Sequence, residues 1–285
     1  MPYIVEHLSL YENGMLKKTN LVVKGQVIHA RDVSVKRMKY VRLNMDRQIM
    51  IAAETIFGNL ESWEQQGMYY AKECLSKGAT TVIFPVSLDY EKKLDLRLDQ
   101  ARKSLMTFPL DYVLILRIPL SLVRPSLLRR CKQLRIPALL VAFHSTEELD
   151  AVAWSWMREA VFPYKLVLVP EYLDGSCEPS RWEECMIKEK FPYLPQAVLH
   201  EPLPKDSLKK LGIFPYRGII RHDGDISYNV IEENRLECLI PDKKTYDDYI
   251  QYTVFHNRVI RAGDRFFLDE GPGEELRITV PGYFQ

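Results

Sequence analysis

Apolar residues recur in two rhythms along this chain. From about Met50 to Gly212, short apolar runs alternate with amphipathic stretches, whereas towards both ends apolar and polar positions alternate singly. The runs of the middle region are IMIAA, TTVIFPV, YVLILRI, ALLVAF, KLVLV and QAVL, beginning near residues 50, 80, 112, 138, 165 and 196. A repeat of roughly 30 residues is the length of one βαβ unit. The runs are apolar on both alternating sets, as in parallel strands covered on both faces. Between them, Leu94, Leu98, Ala101 and Leu105 fall on one helical stripe, as do Leu127, Leu128, Cys131 and Leu134, and then Leu149, Val152, Ala153 and Trp156. Ser62 with Gln65, Ser145 with Glu148 and Ser180 with Glu183 have the spacing of capping boxes and mark three helix starts.

The pattern predicts an α/β fold with right-handed crossovers. The repeating span covers about 160 residues, against the ~250 of a complete eightfold barrel, so a truncated or degenerate (β/α) barrel of the TIM type is expected. The ends differ. LVVKGQVIHARDV and KYVRLNMDRQIMI near the start, and SYNVI, YTVFHNRVIRAG, DRFFLDEG and LRITV near the end, read as β-strands. Neither end suffices for a stable sheet alone. The expected organisation joins residues 1–48 and 216–285 into one small β-sandwich-like domain. Residues 49–215 form the barrel domain between them, with about six βα units.

Several phrases resemble the cyclic amidohydrolases: the dihydroorotases, hydantoinases, dihydropyrimidinases and allantoinases. Gly212, Pro215, Gly218, Ile220 and Asp225 stand in the order of that family's barrel-exit phrase, with Arg217 in its lysine position. VFHNRVIRAGDRFFLDEGPGEEL looks like its closing strand pair and Gly-rich tail, NLVVKGQVIHA like its opening strands, and KECLSKGATTVIFP like its helix into strand two. The similarity touches both ends and the first two βα units, and fades between residues 90 and 205.

The resemblance implies one or two divalent metals, usually zinc, that activate water against a ring amide. It places an H-x-H pair at the end of strand one. With Gly58 just after that pair, Thr55 and Phe57 occupy the histidine positions. Phenylalanine offers no lone pair and threonine is a poor zinc ligand. The bridging lysine of strand four has no counterpart in ALLVAF, and no strand eight supplies the catalytic aspartate. No metal is therefore expected at the family site.

Other side chains at strand ends remain candidates, because parallel α/β folds gather function there. Glu54, Arg117 and Glu201 are candidate catalytic groups, and His144, Glu171 and His200 could hold one divalent ion, zinc by preference. His144 beside a helix cap and His200 as a half-buried polar tip are the bland alternatives, as are turn or surface roles for His222 and His256. YDDY at Tyr246–Tyr249 reads as a solvated loop or a contact patch.

Composition narrows the partners. A net charge of +1 with interleaved acids and bases argues against nucleic acid and anionic membrane as partners. No apolar run approaches the ~20 residues of a membrane span, the start has no leader pattern, and five scattered cysteines fit no zinc spacing, so a cytoplasmic, reduced protein is expected. The function expected is that of a catalytically degenerate amidohydrolase-like protein acting through binding or assembly rather than turnover. The alternatives are a hydrolase of non-peptide C–N bonds with a rebuilt mononuclear site, and a metal-free small-molecule sensor using the barrel pocket. A barrel short of two units would leave open sheet edges, so a homo-oligomer or a protein partner is expected.

Overall fold

The computed structural model describes residues 1–174, 178–234, 249–268 and 271–282. They form two compact units, one built from Met1–Thr55, Ala71–Thr81 and Pro215–Gly271, the other from Ile56–Tyr70, Val82–Phe214 and Pro272–Gln285.

The first unit holds a mixed sheet drawn from both chain ends. Its early strands are β1 (Tyr3–Glu12), β2 (Met15–Lys24), β3 (Val27–Arg31), β4 (Val41–Asn44) and β5 (Gln48–Ala52). Strand β5 pairs antiparallel with a late strand, Tyr228–Glu232, which pairs in turn with the hairpin of Ile250–Phe255 and Arg258–Ala262. The run IMIAA thus belongs to this sheet and does not open the parallel one. The chain changes partners just beyond it: the Ala53 amide donates to the Ser227 carbonyl, and the Glu54 amide to Gly78. On one face of this sheet Val5, Leu8, Leu10, Leu21, Val230 and Val254 form a core, and the alternating residues Ile4 with Val22, and Ile49 with Ile51, Ile231 and Ile250, form smaller buried clusters.

Asp225 of the exit phrase ties this unit together. Its carboxylate takes the Ser227 hydroxyl and lies 2.8 Å from His256 Nδ1 in the turn of the late hairpin. Burial alone would raise the Asp225 pKa, but the His256 and Ser227 hydrogen bonds and the Arg217 charge outweigh it and hold the carboxyl below its usual value. Arg261 is buried, donating to the carbonyls of Leu75 and Ser76. His222 is exposed beside Asp223, so both His222 and His256 have turn or surface positions.

The second unit is organised by a five-stranded sheet in chain order: β6 (Glu54–Phe57), β7 (Ala79–Ser87), β8 (Asp111–Pro119), β9 (Ala138–Phe143) and β10 (Val167–Tyr172). The registers of β8 with β9 and β9 with β10 are parallel. The helices of the described chain are α1 (Leu60–Gln66), α2 (Met68–Ser76, most of which is counted with the first unit), α3 (Leu94–Ser104), α4 (Pro125–Leu134), α5 (Trp154–Val161), α6 (Pro179–Glu189) and α7 (Lys205–Leu211). The expected α/β fold, a degenerate barrel with a second sheet from both chain ends, is present as a parallel half-barrel sheet of five strands and a mixed sheet.

Local details differ for identifiable reasons. Asn59 rather than Ser62 caps α1, accepting from the amides of Glu61 and Ser62, because its side chain stands one residue before the first turn. The Ser145–Glu148 capping box forms, but it opens a 3₁₀ turn, Thr146–Ala151, and α5 starts afresh at Trp154. Ser180 lies inside α6, which begins with Pro179 at its first position.

The sixth apolar run, QAVL, is not a strand. Prolines at 192, 195, 202 and 204 remove the amide donors a ladder needs. The segment touches both edges of the sheet through isolated bridges instead, one of them between Pro202 and Ile56. The Leu168 amide donates to the Pro192 carbonyl and the Leu194 amide to Leu168, while the His200 amide donates to Phe57. Leu199 thereby makes one parallel bridge to Phe57 and Tyr193 one to Leu168.

One face of the parallel sheet is filled rather than hollow. Phe57, Ile83, Val113, Ile115, Ala138, Leu140, Val167 and Val169 pack with Leu208 and Leu211 of α7, with Ile213, and with Ile278 from the tail. The phrase LRITV, read as a strand, belongs to this packing. Among the described residues Glu275 beside it bridges to the sheet at Tyr112, whose carbonyl accepts from the Leu276 amide, and Arg102 of α3 holds the Glu275 carboxylate at 2.8 and 3.0 Å. Cys74 and Cys131 are buried thiols, as their helical stripes imply, while Cys177 and Cys238 lie outside the described residues.

Candidate functional site

A cavity of about 520 Å³ opens within the second unit at the C-terminal ends of its strands. Gly58 and Asn59 follow β6, Ser87 ends β7, Arg117 comes from β8, Leu140 from β9 and Glu171 from β10, with Arg97 and Gln100 of α3 completing one wall. The alternation of β8 turns Arg117 towards the same face as Val113 and Ile115, just beyond the apolar filling. The Leu88 amide donates to the Arg117 carbonyl at 2.9 Å and holds the ends of β7 and β8 together there. Gly58 is required at the cavity edge, since a Cβ would come within 2.7 Å of the Tyr70 hydroxyl.

Arg117 Nε lies 2.7 Å from Glu171 Oε2. The pair crosses β9 diagonally, since Arg117 is in register with Leu140 while Glu171 is in register with Ala142, whose methyl leaves room for the passage. Arg117 and Glu171 are the two sequence-derived candidates that the structure brings together.

The other candidates are dispersed. His144 is exposed, its Nδ1 3.2 Å from Asp174. His200 is half-buried with a left-handed φ of 59°, its ring packed edge-on against Tyr70 at 5.6 Å. Glu201 follows it, also half-buried, and neither lines the cavity. Among the described residues no three His, Cys, Asp or Glu side chains are grouped so as to hold a metal ion. Most of YDDY lies outside the described residues.

Thr55 and Phe57, at the positions the resemblance gives to metal-binding histidines, are both fully buried, at 0% exposure. Phe57 is part of the apolar filling.

Glu54 opens β6, half-buried, and burial pushes its carboxyl up to about 7. Because the folded pKa lies above the ~4.3 of an unfolded glutamate, the folded state is favoured at low pH. That advantage is lost as pH rises through about 7. Glu54→Gln should accordingly raise stability at pH 8 by roughly 2 kcal/mol, discounted for partial exposure. It should also flatten urea midpoints measured between pH 5 and 8. An unchanged pH profile in the variant would show that another group sets it.

Arg97, Gln100 and Asn59 were not singled out in the sequence. Arg97 had a readable signal: it lies three residues after Leu94 and four before Ala101, at the margin of the stripe by which α3 packs. The structure places Arg97 in the lining of the cavity.

No protein-family model and no curated protein matches this chain. Solved structures do. A dihydropyrimidinase from Brevibacillus agri aligns with a TM-score of 0.66 at 8% identity, over 98% of this chain and 99% of that one. A D-hydantoinase from a Bacillus species aligns at 0.63 and 8% identity, over 98% and 99% of the two chains. A D-hydantoinase (dihydropyrimidinase) from a Thermus species aligns at 0.60 and 10% identity, over 99% and 100%. The chain therefore has the fold of the cyclic amidohydrolases, in agreement with the phrases at its two ends.

The divalent metal implied by that resemblance does not fit the residues present. A buried phenyl ring and a lone threonine hydroxyl stand where imidazoles are required, and the described residues provide no substitute group of three. No helix among the described residues is long and apolar enough to cross a membrane.

Proposed function

We propose that this chain is a binding protein on the cyclic-amidohydrolase fold, using the C-terminal ends of its parallel strands to hold a ligand without hydrolysing it. The observation that carries this reading is the burial of Thr55 and Phe57. A side chain packed into the apolar filling cannot turn outwards to ligate an ion without opening a cavity behind it. Losing ligands abolishes metal-activated water but leaves the strand ends and their polar side chains available for binding.

A small molecule suits the site better than a protein surface would, because Arg117 lines a half-open cleft rather than a flat face. The rival reading is a C–N hydrolase with a rebuilt site of His144, Glu171 and His200. It would require Glu171 to leave Arg117 and His144 to leave Asp174.

Metal content decides between them. Protein purified without added metal is analysed by mass spectrometry beside the His144→Ala, His200→Ala double variant. Substoichiometric metal in both is expected. Near-stoichiometric zinc, manganese or iron that disappears in the variant would restore the hydrolase and justify assaying cyclic amides.

A further inference from the structure

We infer that the cavity of the second unit is a site for a small organic carboxylate, clamped between Arg97 and Arg117, whose far end carries hydrogen-bond donors facing Glu61 and Glu64. The inference rests on the reading that these strand ends bind rather than hydrolyse, and names what they bind.

Two guanidinium groups line one cavity, and both have open donor edges. Arg97 is half-buried and makes no hydrogen bond or ion pair with any described residue. Arg117 is ion-paired with Glu171 through Nε alone, so no described residue engages the two terminal amino groups of this cavity-lining side chain. A guanidinium partly removed from water and given no protein acceptor is costly unless an anion meets it. The Glu171 contact also fixes the Arg117 fork before a ligand arrives, which reduces the ordering cost of binding.

Charge selects the kind of anion. Glu61, Glu64 and Glu171 line the same cavity, so three carboxylates stand against two guanidiniums. A phosphate dianion or polyphosphate would be repelled by that excess. A single carboxylate can pair with the guanidiniums while an ammonium or amide N–H at its other end meets Glu61 and Glu64, both exposed on α1.

The test uses the full chain and 4-aminobutyrate as probe, with butylamine, butyrate and inorganic phosphate as comparisons, followed by calorimetric titration. Saturable binding of 4-aminobutyrate is expected, tighter than butyrate and absent for butylamine. Arg97→Ala should weaken it at least 10-fold, on the order expected for one charge-assisted pair. That variant should fold normally because Arg97 supports no other described group, and circular dichroism checks it. Arg117→Lys, which keeps the charge and removes the fork, should weaken binding to a similar extent, and Glu64→Gln should narrow the preference over butyrate.

Unchanged affinity in folded Arg97→Ala, phosphate binding more tightly than 4-aminobutyrate, or no saturable binding of 4-aminobutyrate would each overturn the site. A negative titration on metal-free protein leaves the non-catalytic reading intact. Stoichiometric metal together with Arg97-dependent binding would remove that reading and keep the site.

Discussion

Replacing Gly273 with alanine should destabilise the protein by about 3 kcal/mol, among the larger costs of a single added methyl. A Cβ at this position would run into the carbonyl of Leu110 and lie 2.6 Å from the Asp111 amide nitrogen. These are backbone atoms at the start of β8, so no side chain can swing aside. The surrounding contacts make retreat costly too. The Gly273 amide donates to the Phe108 carbonyl at 2.8 Å, and the Glu274 amide donates to the carboxylate of Asp111, which is 0% exposed. Moving the tail to admit a methyl would break both bonds and leave a buried carboxylate short of a donor. A fall of roughly 6–10 °C in the thermal midpoint is expected by circular dichroism. An unchanged midpoint would mean that the tail does not pack against β8.

Trp182→Ala should cost still more, about 4 kcal/mol, the usual price of emptying a large aromatic site. Trp182 is fully buried, stacks on Phe143 with ring centroids 5.7 Å apart and donates its indole N–H to the Leu194 carbonyl. Phe143 ends β9 and packs edge-on against Tyr172, the residue after Glu171. The substitution therefore loosens the strand ends that aim the Arg117–Glu171 pair. Urea unfolding should show the stability loss. At temperatures where the variant is still folded, 4-aminobutyrate should bind more weakly than to the parent. Loss of stability with unaltered binding would separate the aromatic stack from the site.

The α/β architecture could be read in the sequence because parallel strands buried on both faces appear as unbroken apolar runs, and four of the six runs became strands of the parallel sheet. The first and last runs misled for opposite reasons. IMIAA has the composition of a buried parallel strand, but the mixed sheet buries it equally well, and periodicity does not say which sheet a strand joins. QAVL has the apolar content of a strand, yet its neighbouring prolines withhold the donors, a backbone property that an apolar count overlooks.

At the site, Arg117 and Glu171 were legible because strand ends are where parallel folds expose side chains. Arg97 comes from a helix, so its approach depends on how α3 is rotated against the sheet. His144 and His200 illustrate the opposite limit. Each follows an apolar run in sequence, but a capping turn carries His144 into solvent and the ring of His200 packs against Tyr70.

The proline-punctuated segment that touches both edges of the parallel sheet also governs how the molecule behaves at high concentration. A bare edge strand templates the addition of another chain and seeds fibrils. Here β6 and β10 are each met by a stretch of the protein's own backbone. That stretch is interrupted at 192, 195 and 202 by residues without an N–H to offer, so it cannot itself extend into a ladder. Growth by strand addition is thereby hindered at the residues these bridges cover on both edges of this sheet.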